Sequence, residues 1–216
     1  MTKRVAVLLS GRGSNFQSLL NASLEGSLGG EISLVISNRP GAGGLSIAQE
    51  ACIETALIDH QRYPTREAFD QDLAGAIDSA QPDLVVLAGF MRILTPEFVA
   101  RFSERLMNIH PSLLPLYPGL HTHQRALDNG DSHAGATVHY VTEELDGGPS
   151  VLQAKVPVNS GDDADALAAR VLAVEHQIYP VAVNWHLCGR LTWEDGSLIK
   201  DGMPVPPSGE LWESTS

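Results

Sequence analysis

The chain has 216 residues, of which 43% are hydrophobic, enough for one domain with a sizeable core and too few for two comfortable ones. A formal charge of −12 excludes a protein that works mainly by neutralising nucleic-acid phosphates, because that affinity comes from clustered Lys and Arg; a few local donors can still hold a small anion against the global field. Met1-Thr2-Lys3-Arg4 before a short apolar run lacks the length and cleavage region of a signal peptide, and no stretch reaches transmembrane length, so a cytoplasmic chain without membrane contact is expected.

In chain order, Arg4 to Leu9, Ser14 to Ala22 and Glu31 to Ile36 alternate short apolar runs with an amphipathic segment, which reads as a βαβ opening. Thr65 to Ala80 carries Phe69, Leu73, Ala76 and Ile77 at helical spacing, with Thr65 as N-cap and Pro82 beyond the end. Leu84 to Ala88 is apolar at every position, as a parallel strand covered on both faces must be, and is expected to be central. Thr95-Pro96 opens a helix to Phe102, and Leu106 to Ile109 is a short strand. His110 to Leu120 contains three prolines and a glycine and reads as a long, functional loop. Ala134 to Val141 and Val151 to Val156 are two strands around an Asp146-Gly147-Gly148 turn, close enough in sequence to be antiparallel. Asp163 to Cys188 is a long amphipathic helix with Leu167, Val171, Val174 and Ile178 on one face, with a kink expected before Pro180.

These elements describe an α/β, Rossmann-like fold: a mostly parallel sheet with helices on both faces and an antiparallel portion in the C-terminal half. Residues 1–202 form one domain, and 203–216, rich in proline, form an extended tail. Cys52 and Cys188 are the only cysteines, which predicts two reduced, buried thiols in place of a disulfide framework.

Ser10-Gly11-Arg12-Gly13-Ser14-Asn15 falls between the first strand and the first helix, where free backbone N–H groups favour an anion. It reads either as a phosphate seat or as a tight strand-to-helix turn. A dinucleotide fingerprint fits poorly, because Phe16 stands at the third glycine and Ser37-Asn38 where an acidic ribose ligand belongs.

Three strings then arrive in order: Leu87-Ala88-Gly89-Phe90-Met91-Arg92-Ile93-Leu94, Asn108-Ile109-His110-Pro111-Ser112-Leu113-Leu114-Pro115, and Glu144-Leu145-Asp146-Gly147-Gly148. With them the chain resembles the folate-dependent formyltransferases, from about Val5 to Trp185. Within that family, Tyr117-Pro118-Gly119-Leu120-His121-Thr122-His123 and Gly11-x-Gly13-Ser14-Asn15 look like the glycinamide ribonucleotide branch. The resemblance implies formyl transfer from 10-formyltetrahydrofolate, as co-substrate, to the amine of glycinamide ribonucleotide in purine synthesis. Monomer and homodimer are both open.

The resemblance assigns catalysis to Asn108, His110 and Asp146, and the chemistry agrees. Amine attack on a formyl carbon creates a tetrahedral oxyanion that an amide N–H and an imidazolium can stabilise. A carboxylate beside an imidazole favours its protonated form, which can then protonate the leaving nitrogen. Asn108 and His110 share a strand face at period two, and Pro111 keeps His110 extended. The resemblance also places folate on Arg66, on Met91, Arg92, Ile93 and Leu94, on Asn108, and on backbone from Val141 to Asp146. Phosphate falls to Gly13, Ser14 and Asn15, and substrate hydroxyls to Glu175.

His121, His123, His133 and His139 could suggest a metal, but the proposed chemistry needs no Lewis acid and no metal is expected. Methionyl-tRNA formyltransferase and formyltetrahydrofolate hydrolase normally carry a further domain that this length excludes. A non-catalytic folate- or nucleotide-binding module would not need the intact Asn108, His110 and Asp146. Where relatives can carry a basic residue after the Leu-Pro of the loop, this chain has Leu116, so no auxiliary charge contact is expected there.

Overall fold

The computed structural model describes residues 2–194 and 196–213. The strands β1 (Arg4–Leu9), β2 (Glu31–Ser37), β3 (Glu54–Leu57), β4 (Leu84–Leu87) and β5 (Leu106–His110) pair in parallel in the order β3-β2-β1-β4-β5. Strands β6 (His133–Tyr140) and β7 (Ser150–Pro157) continue the sheet antiparallel, which gives the expected antiparallel portion.

Helices cover both faces, and the alternation along β1 explains why. Val5, Val7 and Leu9 point into a core shared with Phe16, Leu19 and Leu20 of α1 (Ser14–Leu24) and with Leu167, Val171 and Ile178 of α6 (Ala164–Leu187). Ala6 and Leu8 point the other way, against Phe69, Leu73 and Ile77 of α3 (Arg66–Ala80) and Phe98 of α4 (Pro96–Arg101). All four residues of β4 are buried, as a strand packed on both faces requires. Two further helices, α2 (Gly43–Glu50) and α5 (Thr122–Asp128), complete the layers.

Side-chain caps set the helix starts that the sequence announces. Thr65 accepts from Ala68 N–H, Thr95 from Phe98 N–H and Asp163 from Ala166 N–H, each contributing about 1 kcal/mol. Pro180 lies inside α6, which runs through it to Leu187.

The segment read as a tail is held to the body. Strands β8 (Leu191–Glu194), β9 (Ser197–Lys200) and β10 (Met203–Pro204) form a small antiparallel sheet, and β11 (Glu210–Leu211) pairs with β7 at the edge of the large one. Residues 214–216 of that reading lie outside the described residues. The expectation of buried thiols is corrected: both cysteines are free and exposed. Cys52 occupies a surface turn with φ 58°, and Cys188 caps the C-terminus of α6, so neither faces a core.

Candidate active site

The strand order reverses between β1 and β4, and ligands of open α/β sheets bind beyond the carboxyl ends of the strands at such a switch. The predicted site residues gather at that end. Asn108 and His110 leave β5 on one face, and the antiparallel pairing sets two polar rows across the neighbouring strands. One row is Asn108, His139 and Ser150; the other is His110, Thr137 and Gln153. Direct cross-strand partners project from the same face, so the site rests on a polar floor.

Asp146 reaches this floor from the loop after β6. Its Oδ2 lies 3.5 Å from His110 Nδ1 and its Oδ1 3.8 Å from His139 Nε2. Oδ2 also accepts the amide of Gly119 at 2.8 Å, which ties the Asp146 turn to the loop that follows His110. Asp146 adopts φ 53°, a left-handed conformation that Asp and Asn tolerate better than most residues. The turn also needs Gly148, because a Cβ there would stand 1.8 Å from the Tyr140 carbonyl oxygen.

His110 is buried, and its Nε2 lies 2.9 Å from the carbonyl oxygen of Tyr117. A carbonyl only accepts, so Nε2 carries a proton and Nδ1 is the nitrogen turned to Asp146. His139 was considered from sequence only as a metal ligand, and the structure gives it another place. Its Nδ1–H donates to the Tyr140 carbonyl at 3.0 Å, leaving Nε2 to accept from Asn108 Nδ2 at 3.1 Å. Burial pushes the His139 imidazole below its ordinary value, which keeps it in this neutral, accepting form. The signal available in the sequence was its period-two spacing from Thr137 on a strand facing Asn108. Among the described residues, no group of three or more His, Cys, Asp or Glu is placed to hold a metal ion.

Gly13, with φ 84°, is the N-cap of α1, and Ser14 begins the helix. A Cβ on Gly13 would stand 2.6 Å from the Cα of Gly44, so the turn and the start of α2 pack backbone to backbone. Asn15 is buried and donates to Glu175 Oε2 at 2.6 Å, which joins the predicted phosphate loop to α6. Glu175 is itself only 6% exposed, unlike an ordinary helix-surface glutamate. Burial raises its carboxyl above the usual range, opposed by the Asn15 hydrogen bond. One turn on, the buried Tyr179 hydroxyl shares its one proton between the carbonyls of Leu87 at 2.9 Å and Met107 at 3.2 Å, fixing α6 beneath β4 and β5.

The residues predicted for folate form a third group. Met91 and Ile93 are exposed at 61% and 60%, whereas Leu94 and Val141 pack against one apolar cluster with Phe90. The Arg92 guanidinium lies over the Phe69 ring, 4.7 Å from its centroid, and Arg66 is exposed at the start of α3. Ser10 connects this group to β2, donating to Asn38 Oδ1 at 2.6 Å and accepting from Met91 N–H at 2.7 Å. Buried Asp70 holds the far end of the segment through Thr95 N–H at 2.6 Å, a contact for which the sequence carried no motif.

Residues 3–183 match the family model described as formyl transferase. The chain is 50% identical over 205 residues to the phosphoribosylglycinamide formyltransferase of Escherichia coli K12, covering 95% of this chain and 97% of that one. It superposes with a TM-score of 0.94 on the phosphoribosylglycinamide formyltransferase structure from Coxiella burnetii, at 45% identity over 99% of this chain and 100% of the other. The glycinamide ribonucleotide transformylase 1 structure from Symbiobacterium toebii gives a TM-score of 0.89 at 43% identity, over 92% and 94% of the two chains. The chain therefore belongs to the formyl transferase family, in its phosphoribosylglycinamide formyltransferase branch, and is a formyl-transferring enzyme of purine biosynthesis.

Proposed function

We propose that the chain moves the formyl group of 10-formyltetrahydrofolate directly to the amine of glycinamide ribonucleotide, with Asn108, His110 and Asp146 as its catalytic residues. The reading is supported by one observation: Asp146 lies 3.5 Å from His110, and Asn108 joins them through His139, which it meets at 3.1 Å and which lies 3.8 Å from Asp146. In the reaction, the neutral amine attacks the formyl carbon, a new C–N bond forms and the carbonyl oxygen becomes an oxyanion. Asn108 Nδ2–H and the His110 imidazolium stabilise that charge, each such donor contributing roughly 2.7–4 kcal/mol in acyl-transfer sites. Collapse breaks the bond to the folate nitrogen, which takes the Nδ1 proton of His110, since Nε2–H is held by the Tyr117 carbonyl, and the proton lost by the attacking nitrogen restores the imidazolium. Asp146 places its carboxylate 3.5 Å from His110 Nδ1 while holding the Gly119 amide.

Gly13, Ser14 and Asn15 would seat the ribonucleotide phosphate at the N-terminus of α1, with Glu175 accepting from substrate hydroxyls. Met91, Arg92, Ile93, Leu94 and Val141 would form the folate slot, an apolar surface with backbone groups at its rim, and Arg66 would meet the folate glutamate. The test is formyl transfer by the purified protein with both compounds, alongside a reaction without ribonucleotide. Formylated ribonucleotide formed in proportion to folate consumed supports the reading; folate consumed equally fast without the amine would mean hydrolysis.

A further inference from the structure

We propose that Thr137 and Gln153 are positioning residues for formyl transfer, acting on His110 through the loop that follows it. This rests on the reading of His110 as catalytic. His110, Thr137 and Gln153 stand side by side across β5, β6 and β7, with Thr137 fully buried and Gln153 5% exposed. Thr137 Oγ1 uses its whole hydrogen-bonding capacity on the loop and on Gln153. It donates to the Ser112 carbonyl at 2.7 Å and accepts from Leu114 N–H and Gln153 Nε2, each at 3.0 Å. Gln153 Nε2 gives its second proton to the Leu114 carbonyl at 2.7 Å.

The bracket continues to the imidazole. Ser112 Oγ donates to the Leu116 carbonyl at 2.6 Å, and the next residue, Tyr117, supplies the carbonyl that meets His110 Nε2. Because a carbonyl only accepts, that contact holds Nε2 as the protonated nitrogen and turns Nδ1 to Asp146. A buried polar network costs more to satisfy than apolar packing does, and what it supplies in return is one defined geometry. Here the geometry is that of Ser112 to Tyr117, and its readout is the orientation of His110.

The experiment compares Thr137→Val, which keeps the shape and loses the hydroxyl, with Thr137→Ser, which keeps the hydroxyl, and with Gln153→Met. In the full-length protein, Thr137→Val and Gln153→Met should lower kcat by about ten- to a hundredfold, the range expected when a catalytic group is displaced by an ångström, with both KM values within about twofold. Thr137→Ser should retain most activity. In a His110→Ala background, Thr137→Val should lower the residual rate no further, and in otherwise wild-type protein it should disturb the side-chain nitrogen NMR signals of His110. A further fall in that background, or a wild-type kcat in both variants, overturns the proposal. Should Thr137→Val not fold, Gln153→Met carries the same comparisons. Full activity in His110→Ala alone would instead reject the catalytic reading on which the proposal rests.

Discussion

His139 presents a lone pair at Nε2 to the amide nitrogen of Asn108, 3.1 Å away, because its Nδ1–H is already committed to the Tyr140 carbonyl. That fixes which end of the Asn108 amide faces the strand and leaves its other amide proton for a further acceptor. His139→Phe removes the acceptor while filling the space, so kcat should fall about tenfold, the equivalent of one neutral hydrogen bond, with smaller changes in KM. Stability gives a second readout. The folded state holds His139 neutral below its ordinary value of 6.5, whereas the unfolded chain takes up a proton there. Wild-type stability should therefore fall as pH drops through 6.5, and thermal melts should show a shallower fall in His139→Phe. Identical slopes would mean that His139 is protonated in the fold.

The elements that were legible in the sequence are those whose signal is local. Thr65, Thr95 and Asp163 cap helices that begin where the caps predicted, and the all-apolar run of β4 is a central strand. Helices α2 and α5 were missed because Ala42 and His121 precede them without a side-chain cap, and β3 because it is a short edge strand with no buried residue. No element was expected at β8 and β9, and β10 and β11 fall in the segment read as a tail, because each strand is short and is stabilised by its partner more than by its own pattern. At the site, Asn108, His110 and Asp146 stood in recognisable strings. Thr137, His139 and Gln153 did not, since their meaning comes from cross-strand register that no single segment encodes.

Gly13 and Gly11 lie in the same loop and should respond differently. A Cβ at Gly13 meets the Gly44 backbone and must tolerate φ 84°, whereas at Gly11 nothing lies within 4 Å. Gly13→Ala should raise the KM for ribonucleotide about tenfold or more, with folate KM nearly unchanged, by displacing the first N–H groups of α1. Gly11→Ala should stay near wild type. Equal increases in both KM values for Gly13→Ala would indicate damage to the fold and not to a phosphate seat.

Glu175 makes stability depend on pH. Its carboxyl is raised by burial, so the folded state binds the proton more tightly than the unfolded chain. The stability that this gives is complete below the ordinary value of 4.5 and is lost as pH rises through the raised folded value. Glu175→Gln retains an oxygen to accept from Asn15 and has no charge to bury. The variant should be the more stable protein at pH 7.5, with the difference closing as pH falls to 4.5, and should need more ribonucleotide for half-saturation. Melting curves of both proteins across that range decide it; a constant offset at every pH would show that Glu175 does not titrate differently on folding.

Asp146 separates charge from shape. Asn at this position keeps an oxygen to accept from Gly119 and tolerates the left-handed φ of 53°, but places no charge beside His110. Asp146→Asn should therefore leave the turn and the loop after His110 in place and lower kcat by roughly a hundredfold or more, with much smaller changes in either KM, the pattern of an interaction made in the transition state. Asp146→Ala loses the Gly119 contact as well and meets backbone strain, so it should raise the KM for at least one substrate in addition to lowering kcat. Steady-state kinetics of both variants, with each substrate varied in turn, separate the two contributions. Were Asn and Ala to behave alike in kcat and in both KM values, the Gly119 hydrogen bond would have no part in binding. Were Asp146→Asn to keep the wild-type kcat, the carboxylate would have no electrostatic role in catalysis, and only its hydrogen bond to the loop would account for its place in the site.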